Sequence, residues 1–145
     1  MKELEKLAED FEMLMDWDQR YQYLIELGES LPAMPASLKT ENNKVKGCMS
    51  QVWTSPYFQD MENATISFYG DCDTAIIKGV LAVLVKLCNG KTKSDILSLD
   101  IDEIFANLHL DEHLSPNRHI GIYGIVDQMQ QQAKTLKEKD LAIGE

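Results

Sequence analysis

The residues most suited to chemistry lie together in Lys44-Val45-Lys46-Gly47-Cys48-Met49-Ser50-Gln51-Val52-Trp53. A cysteine directly after a glycine, between two short strand-like pieces, predicts a tight loop with a thiol at its tip. The nucleophilic form of cysteine is the thiolate, and a free thiol of pKa about 8.5 stays mostly protonated at neutral pH unless cations or backbone N–H dipoles stabilise the anion. Lys44 and Lys46 could supply that cationic field. The alternative is that Cys48 is a small apolar side chain filling a turn. Gly47, Ser50 and the Val52-Trp53 pair favour the reactive thiol, because packing alone does not require that combination.

The other chemistry-bearing residues are weaker candidates. Three cysteines is an odd count, and their spacings match no zinc or redox pair. With no signal peptide ahead of the first helix, a reducing cytoplasm is the expected compartment. Cys72 and Cys88 read as packing residues. His109, His113 and His119 are close in sequence, but their spacing fits no common zinc pattern, so no metal site is expected. Arg118 falls in the first turn of a helix, where a cation is not favoured by the macrodipole, and a partner contact or a surface ion pair would each account for it. No Ser-His-Asp order, phosphate-binding glycine loop or dinucleotide fingerprint occurs.

These residues need a scaffold, and the chain is long enough to build one. At 145 residues a folded chain buries roughly 70% of its unfolded surface, so one domain over residues 1–145 is expected, fraying from about residue 137. Lys and Arg number 14 against 24 for Asp and Glu, a net charge of -10 that repels phosphate backbones and argues against a nucleic-acid partner. The longest strongly apolar run, from Gly79 to Val85, is too short to cross a bilayer.

Apolar spacing predicts a first amphipathic helix through Leu4, Leu7, Ala8, Phe11, Leu14 and Met15, and a second capped by Asp16 and ended by Gly28. Residues 36–43 read as a surface loop leading to Cys48. Gln51 to Phe58 has strand character, with Pro56 marking an edge, and residues 64–69 alternate as a half-buried strand after a turn at Met61-Glu62-Asn63. Asp71 and Asp73 are placed to cap a central buried helix from Ile76 to Leu87 that ends at Asn89-Gly90. Short helices follow near Ser94–Leu97 and Asp100–Asn107, the second with a capping box. Ser115-Pro116 starts a last helix that turns Ile122, Ile125, Val126 and Met129 inward and frays beyond Ala133. The implied fold class is α+β, a small antiparallel sheet of about three strands packed by helices.

Four ordered blocks between about Phe11 and Ala133 resemble the SufE family of sulfur-acceptor proteins, including the related CsdE proteins. They are Trp17 with Tyr21, Tyr23 to Gly28 and Leu31-Pro32; Val45 to Trp53; Gly70 to Gly79; and His113 to Arg118 with Gly121. The Gly-Cys-x-Ser-x-Val-Trp block is the most diagnostic. The resemblance implies that Cys48 accepts sulfur as a persulfide from a PLP-dependent cysteine desulfurase and passes it to an iron-sulfur scaffold or another acceptor. It places Lys46, Gly47, Ser50, Trp53, Asp71 and Arg118 as candidate supporting or docking residues. No cofactor is expected on this chain, since PLP would sit on the desulfurase, and no stand-alone turnover is expected. Cys72 stands where many relatives have serine, and an inert thiol is the expectation there. Delivery to a different acceptor pathway, a thiol redox sensor lacking a resolving cysteine, and a non-catalytic regulator of the desulfurase remain the alternatives.

Overall fold

The apolar stripes of the sequence become helices that close around a short antiparallel ribbon. The computed structural model describes residues 2–14, 16–47, 50–110, 114 and 116–137, and the side chains of all of these except residues 2 and 116–119. Along them run α1 (Lys2–Glu12), α2 (Trp17–Glu29), a 3-10 turn at Ala36–Leu38, β1 (Val52–Asp60), β2 (Thr65–Cys72), α3 (Ala75–Cys88), α4 (Lys93–Leu97), α5 (Ile101–Leu108) and α6 (Pro116–Thr135). This is the expected α+β architecture, with two strands among the described residues in place of about three. The missing third strand is the segment at residues 43–45, which pairs with β1 through Val45 N–H to Val52 O (2.8 Å) and Thr54 N–H to Asn43 O (3.0 Å) but is too short to count as a strand.

α3 is the centre of the core. Val80, Leu81, Leu84 and Leu87 are buried around it, and they join Leu7 and Phe11 of α1, Leu24 of α2, Ile66 of β2 and Ile122 and Ile125 of α6 in one apolar cluster. α2 crosses α3 at a pair of glycines. A Cβ on Gly79 would lie 2.1 Å from Leu24 O, and one on Gly28 would lie 2.9 Å from Gly79 N. Gly28 therefore does not end α2, which runs to Glu29 with Ser30 as its C-cap; its lack of a side chain lets the helices touch. Asp16 caps α2 as expected, its carboxylate accepting from Gln19 N–H at 2.9 Å.

The start of α3 departs from expectation. Asp71 and Cys72 belong to β2, paired with Trp53 and Val52, so they cannot cap the helix. Thr74 occupies the N-cap position without a side-chain bond, and the Asp73 carboxylate instead accepts from Gln51 N–H at 3.0 Å. The other end behaves as read, with Asn89 at the C-cap and Gly90 in the left-handed region at φ 75°. Asp100 accepts from Asp102 N–H and Glu103 N–H to cap α5. The last helix continues to Thr135, and Leu136 beyond it is buried with its carbonyl held by Lys93 Nζ at 2.6 Å, so order persists past Ala133. Met15, Ser115 and the tail from residue 138 lie outside the described residues.

Candidate functional site

The residues around the Cys48 loop are held from two sides. Cys48 and Met49 themselves lie outside the described residues, while their neighbours on both sides are placed. The loop closes where Val45 N–H meets Val52 O, and the side chains of Val45 and Val52 are buried beneath it. Gly47 has φ 80°, a left-handed conformation costly to other residues, with open space where a Cβ would stand. Glycine is needed here for its backbone, since nothing crowds it.

The outgoing shoulder is tied to the turn between β2 and α3. Ser50 Oγ and Thr74 Oγ1 share a hydrogen bond at 2.6 Å. Gln51 exchanges two bonds with Asp73, donating its N–H to the carboxylate and accepting from Asp73 N–H at 3.1 Å. Two residue pairs further along, Trp53 faces Asp71. Asp71 accepts from Lys39 Nζ at 2.6 Å and Lys78 Nζ at 3.2 Å, and the Lys39 ammonium lies 5.6 Å from the centroid of the Trp53 ring, within cation–π range. Burial alone would raise the Asp71 pKa, but hydrogen bonds from Lys39, Cys72 N–H and Lys78 outweigh it and hold the carboxyl below its usual range.

Both strands at the root are tied to α6, the incoming one at Asn43 and the outgoing one at Thr54. Thr54, fully buried in β1, donates its hydroxyl to Gln132 Oε1 at 2.8 Å and accepts from Gln128 Nε2 at 2.9 Å. Gln132 Nε2 also donates to Thr54 O, and Gln128 Nε2 to Asn43 O, each at 2.8 Å. α6 can lie this close because Gly124 has no side chain; a Cβ there would stand 3.3 Å from Lys46 O. Lys46 itself turns to Glu41, contacting its carboxylate at 3.1 Å and its carbonyl at 3.2 Å, both side chains well exposed. The Lys46 bond holds the Glu41 carboxyl below its ordinary pKa.

The structure thus gathers Ser50, Trp53 and Asp71 on one shoulder and Lys46 with Gly47 on the other. Arg118 lies in the first turn of α6, but its side chain is outside the described residues, as are that of His119 and all of His113. His109 is the left-handed C-cap of α5. Among the described residues no group of three or more His, Cys, Asp or Glu is placed to hold a metal, and no helix is long and apolar enough to cross a membrane.

Lys39, Thr54, Thr74, Gln128 and Gln132 were not singled out from sequence, and Asp73 was read only as a helix cap. The glutamines carried one usable signal: spaced four apart on α6 beside Ile125 and Met129, they put amides on the edge of an inward face.

The two other thiols are sequestered. Cys88 is buried in the core, and burial pushes its thiol up to about 12. Cys72 is buried opposite Val52, its sulfur accepting from Thr74 N–H at 3.4 Å.

A helix-packed antiparallel ribbon, tied beside residue 48 to α6 and to the β2–α3 turn, places the chain among small α+β proteins. The chain matches the SufE family model, described as an Fe-S metabolism associated domain, over residues 5–133. It is 41% identical over 135 residues to an uncharacterised SufE-like protein of Rhizobium etli, covering 92% of this chain and 91% of the relative. A second SufE-like protein, from Rhizobium meliloti, is 37% identical over 135 residues, covering 92% and 96%. This chain belongs to the SufE family. A solution structure of a hypothetical protein from Thermus thermophilus shares the fold, with a TM-score of 0.73 at 20% identity over 91% of this chain and 93% of the other.

Proposed function

We propose that this protein is a sulfur acceptor and carrier in which Cys48 receives sulfur from a PLP-dependent cysteine desulfurase and passes it on for iron-sulfur cluster assembly in the cytoplasm. The Cys48 thiolate attacks the outer sulfur of the partner's persulfide. A new S–S bond forms on Cys48, the partner's S–S bond breaks, and the partner's cysteine leaves as thiolate, with no net oxidation. The same exchange, run against an acceptor thiol, unloads the sulfur.

Membership of the SufE family supports the class of reaction. The observation that carries the assignment to Cys48 is the burial of both other thiols, Cys72 and Cys88, which leaves the loop cysteine as the one thiol outside that buried pair. Thiol exchange between two proteins suits a loop, because a cysteine on a rooted loop can enter a partner's site without moving the core. Val45 and Val52, buried at the loop's base, and the half-buried Trp53 supply the apolar bed against which the thiol can be sheltered between transfers.

The test is direct. The protein is incubated with a cysteine desulfurase and L-cysteine, and the added sulfur is located by peptide mass spectrometry. Sulfur on Cys48, absent in Cys48→Ser while binding to the desulfurase persists, is the expected result. Equal stimulation of the desulfurase by Cys48→Ser would overturn the carrier reading in favour of regulation by contact.

A further inference from the structure

The two edges of the β-ribbon are covered differently. On β1 the outward backbone groups belong to Val52, Thr54, Pro56 and Phe58. Val52 O and Thr54 N–H pair with the segment at residues 43–45, Thr54 O accepts from Gln132, and Pro56 has no N–H to offer. That edge is covered at Val52 and Thr54 and lacks a donor at Pro56. On β2 the outward set is fixed by Ile66, whose N–H donates to Lys91 O at 2.7 Å and whose carbonyl accepts from Gly90 N–H at 2.9 Å. Backbone groups alternate sides along a strand, so Phe68, Gly70 and Cys72 face the same way. Cys72 N–H is turned to the Asp71 carboxylate at 2.8 Å. The N–H and C=O of Phe68 and Gly70 are left facing away from β1.

Both residues line a groove of about 480 Å³. Leu27, Leu31 and Pro32, at and beyond the end of α2, form its far wall, and Ala82 and Val85 of α3 form its floor. Lys86 is the only charged residue among the described residues lining it, and among the described residues it forms no ion pair. Two donors and two acceptors at alternate residues, about 7 Å apart along the strand, match the backbone of an extended chain. The single lysine at the groove favours a segment that brings a carboxylate.

We propose that this groove docks an extended segment of a partner protein, which pairs with Phe68 and Gly70 as a short added strand, turns small apolar side chains to the Leu27–Pro32 wall and sets a carboxylate beside Lys86. Strand addition gives affinity through the main chain, and the wall and the lysine give selectivity. The surface lies on the opposite edge of the sheet from the segment that leads into the Cys48 loop, and the proposal does not rest on the sulfur-carrier reading.

The test uses the full chain, labelled with nitrogen-15, and a set of acetylated, amidated heptapeptides of alternating alanine and valine with one aspartate moved through the sequence. At least one register is expected to shift the Phe68 and Gly70 amide resonances saturably and to slow their hydrogen exchange. N-methylation of that peptide's pairing amides is expected to weaken binding about tenfold or more, and Lys86→Glu to weaken it about fivefold while favouring the lysine-bearing counterpart. Binding should be unchanged in Cys48→Ser. The proposal is overturned if no register shifts these amides, or if N-methylated peptides bind as well, which would make the groove a side-chain or small-molecule pocket. Protection of the same amides by self-association without peptide would also overturn it.

Discussion

Replacing Thr54 by valine isolates what the hydroxyl at the root of the loop contributes. Valine keeps the shape and strand preference of threonine, so the β1–β2 ladder and the bond from residue 54 N–H to Asn43 O survive. The hydroxyl does not. Gln132 Oε1 loses its donor and Gln128 Nε2 loses one acceptor, both at part-buried positions between α6 and β1. A hydrogen bond contributes about 1 kcal/mol net, and a buried group left unpaired costs about 1–3 kcal/mol, so the expected loss is about 2–3 kcal/mol. For a chain of this length that lowers the melting midpoint by about 5–10 °C. Urea unfolding at neutral pH measures it, with Gln132→Met as the second arm of a double-mutant cycle, since methionine preserves length and helix preference. The pair should cost less than the sum of the singles by about 1 kcal/mol or more. A Thr54→Val variant within about 0.5 kcal/mol of the parent, or strict additivity with Gln132→Met, would refute the view that these amides hold the loop's root.

Two further outcomes follow from the same geometry. Gly79→Ala gains about 1 kcal/mol of helix propensity but sets a Cβ 2.1 Å from Leu24 O, so α2 and α3 must separate; a net loss above about 3 kcal/mol is expected by thermal melting, exceeding that of Gly28→Ala, and a neutral Gly79→Ala would contradict the close crossing. The Asp71 carboxyl is held below its unfolded pKa, so its contribution is present above about pH 4 and is lost as pH falls through the folded value; Asp71→Asn should be less stable at pH 7 and show a shallower acid limb, and parallel acid limbs would show that the Lys39 and Lys78 contacts add nothing.

How much of this was legible depended on whether a residue's role was local. Helix spacing, the Asp16 cap and the Asn89-Gly90 stop are set within a few residues and were readable, and the strand alternation held at Ile66 and Phe68 but failed at Ala64, exposed in the turn, and at Ser67, which is buried. Gly28 misled, because glycine near a helix end reads as a stop, while its use depends on Gly79, remote in sequence. Asp71 misled similarly. An acid before an apolar run reads as a cap, yet strand pairing with Trp53 decided its place. The candidate site divided along the same line. Ser50 and Trp53 came from the compact motif around Cys48, whereas Thr54, Gln128 and Gln132 act only once α6 is laid across β1, a contact no local pattern encodes. The family resemblance gave the fold class but did not resolve the third strand, because the pairing at residues 43–45 sits at the limit of what counts as one.

The two shoulders constrain how the Cys48 loop can move. Both strands at its root are clamped to α6 by part-buried amides, at Asn43 before the loop and at Thr54 after it. Between Thr54 and the loop the ties are the Ser50–Thr74 bond and the two bonds between Gln51 and Asp73, in part-buried or exposed surroundings. Releasing three such bonds would cost about 2–4 kcal/mol. Asp73 and Thr74 therefore hold Ser50 and Gln51 through the β2–α3 turn, although neither belongs to the Cys48 segment. Thr74→Val removes the bond to Ser50, and faster hydrogen exchange of the Ser50 and Gln51 amides is the expected result; unchanged exchange would show that this tie holds nothing.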